Sequence, residues 1–229
     1  LHAAGILDKY NVRVIGVQID AIKRGEDRQA FKDTMDSLGI EMCKGIIANS
    51  YEEAEEAIKE IGLPCVIRPA YTMGGTGGGF AYNMDEFREV AKRGLAASMV
   101  GQILVEESVL GWEELELEVV RDAKNQMITV CFIENVDAMG VHTGDSYCTA
   151  PMLTISEELQ ERLQRFSYAI VEAIEVIGGT NVQFAHDPVS DRVVVIEINP
   201  RTSRSSALAS KATGFPIALV SSLLAGGLT

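Results

Sequence analysis

The chain has 229 residues, 47% hydrophobic and 23% charged, ordinary values for a globular protein with a real core in one large or two small domains. Its net charge of -13 argues against nucleic acid as the main partner, because a phosphate-backbone binder needs a basic face. No apolar run of about 18 residues occurs, so no membrane span is expected, and a nucleotide held by a few arginines and a metal stays open.

Leu1 to Tyr10 reads as the end of a helix, and Val12 to Val17 as a short buried strand. A helix follows from Asp27 to Leu38 and closes at Gly39. Arg28 sits in its first turn, where a cation opposes the helix dipole; an anionic neighbour or simple exposure accounts for it. Ile40 to Ile47 is expected as a strand, and Ser50 with Glu53 marks the start of an acidic helix. The strand Pro64 to Pro69 delivers Arg68 to the one dense glycine stretch, Tyr71-Thr-Met-Gly-Gly-Thr-Gly-Gly-Gly79. That stretch fits neither the Walker A nor the dinucleotide fingerprint. Its freed backbone N–H groups suit a phosphate lid, and a flexible hairpin tip is the plainer alternative.

A helix over 85–95 and a strand over 102–107 come next. In Trp112 to Val120, Glu114, Glu116 and Glu118 alternate with Leu115, Leu117 and Val119, a half-buried strand whose carboxylates are expected mostly in water. Met127 to Ile133 pairs beside it, antiparallel. The polar loop Glu134 to His142 carries one histidine, a residue more often structural than catalytic. Ser156 caps a long amphipathic helix to about Ile177. Asn181 and Gln183 share one face of the next strand, and the opening strand 12–17 is expected to pair beside it. The four cysteines, with no C-x-x-C pair, read as apolar fillers in a reducing, cytoplasmic setting. Strands, helices and hairpins mix as in an α+β protein. With Leu rather than Met at position 1 and Gly-Gly-Leu-Thr at the end, the chain is expected to be a cut from something longer.

The richest stretch is Val193 to Arg201. Val193-Val-Val-Ile is a strong strand former, and alternation puts Glu197 and Asn199 on one face. Pro200 turns the chain, and Arg201 and Arg204 follow. A carboxylate beside an amide suits Mg2+ or Mn2+, and paired guanidinium groups suit an anion. A buried Glu197–Arg201 pair serving stability is the alternative. Closing helices are expected over 203–213 and 216–224.

Several stretches together resemble the large subunit of carbamoyl phosphate synthase. They are Arg68-Pro-Ala-Tyr-Thr-Met-Gly-Gly-Thr-Gly-Gly-Gly, Glu107-Ser-Val-Leu-Gly-Trp-Glu-Glu, Glu134-Asn-Val-Asp-Ala-Met-Gly-Val-His-Thr-Gly-Asp-Ser, Asn181-Val-Gln-Phe and Glu197-Ile-Asn-Pro-Arg-Thr-Ser-Arg-Ser-Ser-Ala-Leu-Ala-Ser-Lys. The likeness spans nearly the whole chain and points to the amino-terminal, carboxyphosphate-forming half. It implies an ATP-grasp fold, with residues 1–39 as the tail of a preceding domain, 40–110 as a small lid subdomain and 111–229 as a large subdomain with the metal site. It also implies that ATP meets Arg28, Arg68, Gly74, Gly75, Glu107, Val109, Glu114, Gly140, Val141, His142, Gln183 and Glu197. By the same likeness Gln183, Glu197 and Asn199 hold two Mg2+ or Mn2+ ions, and Arg201 and Arg204 face bicarbonate and the γ-phosphate. Asn135, Asp137 and Ser146 resemble a potassium-binding loop. A glutamine amidotransferase small subunit is the implied partner. A biotin carboxylase-like ligase and a non-catalytic nucleotide-binding module are the rival classes.

Overall fold

The computed structural model describes residues 1–70, 76–140 and 146–229. They form two compact units, Leu1–Met42 with Gly111–Thr229, and Cys43–Leu110. The chain opens with α1 (Ile6–Lys9), α2 (Ile19–Glu26) and α3 (Arg28–Leu38). The Asp27 carboxylate accepts the Ala30 N–H at the start of α3, and Gly39 ends it at φ 66°, where a glycine meets no Cβ penalty. Residues 12–17 are not a strand: Val12 and Ile15 are 54% and 62% exposed, and Gln18 ties the segment back through Val14 O and Gly16 O. The edge that strand was expected to occupy is taken, as the sheet below shows. The opening segment sends Phe31 and Met35 into the core of its unit.

In the unit Cys43–Leu110, β1 (Gly45–Ala48), β2 (Cys65–Pro69), β3 (Gly79–Ala81) and β4 (Ile103–Glu107) form an antiparallel sheet in the order β1-β4-β2-β3. Helices α4 (Tyr51–Ile61) and α5 (Met84–Ala97) bury Ala54, Ile58, Phe87 and Val90 against Ile67, Ile103 and Val105. Ser50 accepts the Glu53 N–H, and Asn83 accepts from Asp85 and Glu86, so both helices begin on side-chain caps. The single strand expected over 40–47 is divided: Met42 bridges Val195 within the larger unit, and β1 of the smaller unit starts at Gly45.

The larger unit contains β5 (Glu113–Arg121), β6 (Met127–Asn135), β7 (Cys148–Thr149), α6 (Glu157–Ile174), β8 (Gly178–Asp187), β9 (Arg192–Asn199), α7 (Arg204–Thr213) and α8 (Ile217–Ala225). Its sheet is antiparallel, ordered β7-β6-β5-β8-β9, so β5 and β9 occupy both edges of β8. One face carries Leu115, Leu117, Val182, Phe184, Val195 and Ile198 into a core with Leu163, Ile170 and Ile174 of α6. On the other face Val120, Cys131 and Ile133 meet Ala209 of α7 and Ile217 of α8. Gly179 lets α8 approach: a Cβ there would lie 2.7 Å from Ile217 Cγ2 and 3.0 Å from Ser221 Oγ, which accepts the Gly179 N–H. The architecture is α+β, as the hairpins and helices in the sequence imply.

Phe184 is fully buried at the centre of the main core. Phe184→Ala is expected to lower unfolding free energy by about 3–5 kcal/mol. Val189→Ala, at a position 93% exposed, is expected to change it by less than about 0.5 kcal/mol. Urea unfolding of both variants checks the pair; equal losses would contradict this core assignment.

Candidate functional site

Antiparallel pairing gathers one polar face. Glu118 lies opposite Asn181, Glu116 opposite Gln183, and beyond them Gln183 faces Glu197 and Asn181 faces Asn199. Directly paired residues project to the same side of a sheet. Three strands therefore present acids and amides as one band. The expectation that the β5 carboxylates stand mostly in water is overturned: Glu114, Glu116 and Glu118 are 4%, 1% and 0% exposed. Alternation reports that one face is polar, not whether that face is wet.

On β5 the polar face is buried and hydrogen-bonded. Glu116 accepts from Asn135 Nδ2 and Asn181 Nδ2, both at 2.9 Å. Glu118 accepts from Ser205 Oγ at 2.6 Å, Ser206 Oγ at 2.8 Å and Asn181 Nδ2 at 3.1 Å. Burial pushes the Glu118 carboxyl up from its ordinary range, and the bonds from Ser205, Ser206 and Asn181 pull against it. The amide oxygens of Asn135 and Asn181 are buried without a hydrogen-bond partner among the described residues. None of Glu116, Glu118, Asn181, Ser205 or Ser206 was singled out as a site residue from sequence. The available signal was the shared period of two across 114–118 and 181–183.

At the end of the band a bulge re-aims β9. Pairing passes from Gln183↔Glu197 to Phe184↔Val195, which leaves Ile196 as the extra residue. Before it Val193, Val194 and Val195 are buried; after it Glu197 is exposed. Asn199 donates from Nδ2 to Glu197 Oε1 at 3.1 Å and accepts at Oδ1 from Arg201 Nη2 at 3.1 Å. Arg201 thus binds the amide, and the buried Glu197–Arg201 pair is not formed. Thr180 Oγ1 and the Arg201 N–H both bond the Asn199 carbonyl, holding the turn at Pro200. Arg204 is the exposed first residue of α7. Glu197, Asn199 and Gln183 offer hard oxygen donors, the chemistry that fits Mg2+ or Mn2+. Among the described residues no group of three or more His, Cys, Asp or Glu is placed to hold a metal, so such an ion would rest on one carboxylate and two amides. An ion reaching Asn199 Oδ1 would take that oxygen from Arg201.

The other predicted residues fall as follows. Arg68 pairs through Nε with Glu106 Oε2 at 3.0 Å on the adjacent strand. Glu107 accepts the Lys44 N–H at 2.6 Å, and Val109 is buried. Arg28 is exposed at the start of α3, and Gly140 takes φ 116°. Gly74, Gly75, Val141 and His142 lie outside the described residues. The far end of the glycine stretch has a packing role: at Gly77, φ 79°, a Cβ would sit 2.4 Å from Ala97 Cβ of α5. Arg93 of that helix donates to Gly78 O. Near the resembled potassium loop, Asp137 Oδ2 accepts the Tyr147 N–H at 3.0 Å and Ser146 Oγ donates to Tyr147 O. All four cysteines are free; burial raises the thiols of Cys65 and Cys131 to about 11.

Comparison with known proteins bears on this arrangement. The chain is 52% identical over 230 residues to the carbamoyl phosphate synthase large chain of Thermotoga petrophila, covering 100% of this chain and 21% of that one. It is 55% identical over 226 residues to the large chain of Xylella fastidiosa, covering 98% and 21%. It therefore spans about a fifth of the length of these relatives. Among solved structures, the biotin carboxylase–β-γ-ATP complex from Campylobacter jejuni superposes with a TM-score of 0.85 at 20% identity, covering 100% of this chain and 52% of that one. The biotin carboxylase domain of Hydrogenobacter thermophilus 2-oxoglutarate carboxylase, with MgADP, ADP and bicarbonate, gives 0.81 at 21% identity, covering 99% and 51%. At such identities the likeness shows the fold alone, which is ATP-grasp. Residues 27–229 match the family described as carbamoyl-phosphate synthase L chain, ATP binding domain, and the chain belongs to that family.

Proposed function

We propose that this chain binds ATP and, in a full-length large chain, directs phosphorylation of bicarbonate to carboxyphosphate on the way to carbamoyl phosphate. The observation that carries the proposal is the exposed Glu197 beside Asn199 and opposite Gln183, with Arg201 and Arg204 following at once. Family membership over residues 27–229 supports it.

Bicarbonate is a weak, anionic nucleophile, and its target is an anionic phosphoryl group. The protein's task is charge neutralisation and alignment rather than covalent catalysis. Arg201 and Arg204 are read as holding bicarbonate and the γ-phosphoryl oxygens, so that one bicarbonate oxygen attacks phosphorus as the bond to the ADP oxygen breaks. Gln183, Glu197 and Asn199 would hold Mg2+ or Mn2+, which supplies neutralisation of the β- and γ-oxygens when bound. Arg28, Arg68, Gly74, Gly75, Glu107, Val109, Glu114, Gly140, Val141 and His142 are read as nucleotide contacts. Potassium at Asn135, Asp137 and Ser146, a glutamine amidotransferase small subunit and a cytoplasmic setting complete the proposal. Among the described residues no single helix is long and apolar enough to cross a membrane.

The full-length protein is expected to release ADP from ATP only when bicarbonate is present. ATP hydrolysis indifferent to bicarbonate would remove the carboxyphosphate reading in favour of another ligase or a binding module. The 229-residue chain alone is expected to give no measurable carbamoyl phosphate in a colorimetric assay, because relatives are about five times longer.

Glu197→Gln keeps shape and removes one charge from the only carboxylate of the proposed metal set. In the full-length protein, bicarbonate-dependent ATP hydrolysis is expected to fall by at least about 100-fold, roughly 3 kcal/mol of transition-state stabilisation. Stability is expected to change by less than about 0.5 kcal/mol, because Glu197 is exposed. A variant that melts far below wild type with unaltered Mg2+ dependence would refute the assignment.

A further inference from the structure

Glu118 is fully buried, belongs to none of the nucleotide or metal sets above, and spends both carboxylate oxygens on the first turn of α7. Proton counting gives this network a direction. A serine hydroxyl has one proton, and a carboxylate can only accept. Ser205 and Ser206 both commit their proton to Glu118. Ser206 Oγ is then left to accept the Ser203 N–H at 3.0 Å. Ser205 Oγ is likewise left to accept from the Ser203 hydroxyl, 2.6 Å away, and Ser203 Oγ in turn receives the Ser206 N–H at 3.3 Å. The capping box that starts α7 is therefore oriented from β5, across the sheet. A negative charge at this end also complements the helix dipole.

Arg204 sits inside that box, between Ser203 and Ser205, as the first residue of α7. The turn before it is held separately, since the Asn199 carbonyl accepts from Thr180 Oγ1 and from the Arg201 N–H. Two anchors thus flank the short segment that carries both guanidinium groups. One is the β8–β9 pairing, and the other is a carboxylate 86 positions earlier in the chain than Arg204.

We propose that Glu118 is a positioning residue which, through Ser205 and Ser206, fixes the start of α7 and so places Arg204 beside Arg201 for the anion they handle. This rests on the carboxyphosphate reading. Glu118 touches no substrate in the proposal; it acts through the helix. The isosteric change Glu118→Gln breaks the directionality, because the new amide N–H must be accepted by a hydroxyl that already accepts from Ser203. That hydroxyl's own proton then loses its acceptor.

The test uses the full-length protein and two variants, Glu118→Gln and the double change Ser205→Ala with Ser206→Ala, which leaves the carboxylate in place. Bicarbonate-dependent ATP hydrolysis is measured alongside amide hydrogen exchange over residues 203–207. Expected for either variant is a fall in kcat of about tenfold or more, with KM for MgATP within about twofold of wild type. Combining all three changes should be no worse than Glu118→Gln alone. Exchange over 203–207 should quicken while the β5 and β8 amides stay protected. A kcat within about twofold of wild type in both variants, or unchanged exchange over 203–207, overturns the inference. If one variant fails to fold, the other carries the same expectations. A wild-type protein that shows no bicarbonate-dependent hydrolysis removes the carboxyphosphate reading instead; quickened exchange would still uphold the anchoring of Arg204, and unchanged exchange would refute it.

Discussion

Three carboxylates on one strand face have to be either hydrated or hydrogen-bonded, since an isolated buried charge costs many kcal/mol. The fold takes the second course. The first-turn serines of α7 and Asn181 supply Glu118, and Asn181 and Asn135 supply Glu116, with the donors that water would otherwise give. This constraint reaches into the rest of the larger unit. It requires an amide on β8 opposite Glu118, hydroxyls at the start of α7, and a chain path that brings 203–206 back over β5. The hydrophobic core on the opposite sheet face can be filled by many aliphatic combinations of the right volume. The polar face tolerates fewer, because each donor has one acceptor to meet.

The bulge at Ile196 divides β9 into two working parts. Residues 193–195 belong to the core, and 197–199 project an acid and an amide at an exposed strand end. Without the extra residue, a strict period of two would continue the buried run of 193–195 into the positions now held by the polar pair. Bulges next to active sites commonly re-aim side chains in this way. Here the device sits four residues before Pro200, the turn that releases Arg201, so polarity, exposure and positive charge change together over a few residues.

The glycine stretch shows how one composition can answer two demands. Gly77 admits a close approach of backbone to Ala97, a positive φ and a nearby Arg93 bond to Gly78. Those glycines are explained by packing against α5. The same reasoning separates the two arginines most alike on paper. Arg68 is engaged with Glu106 across a strand pair, whereas Arg201 is engaged with an amide on its own strand end.

Much of this was legible in the chain itself, wherever a local rule suffices. Asp27, Ser50, Asn83 and Ser156 cap helices because an N-cap needs only a short polar side chain and the next few N–H groups. Gly39 ends α3 for an equally local reason. The strands at 113–121, 127–135, 178–187 and 192–199 follow from alternation and β-branching, and Glu197 with Asn199 on one face follows from the period of two. What tertiary structure decided was everything that depends on a distant partner. Residues 12–17 have strand composition but find no free edge on β8, where pairing was expected, because β5 and β9 flank it. Glu114, Glu116 and Glu118 look solvated from their own neighbours and are buried in the fold, Glu118 against serines that come 87 and 88 positions later. The Glu197–Arg201 alternative failed on the choice of partner: a guanidinium two residues from an amide and four from a carboxylate took the amide. Local sequence carries backbone propensity and facing; which group covers a face, and which donor meets which acceptor, is settled only when remote strands and helices come together.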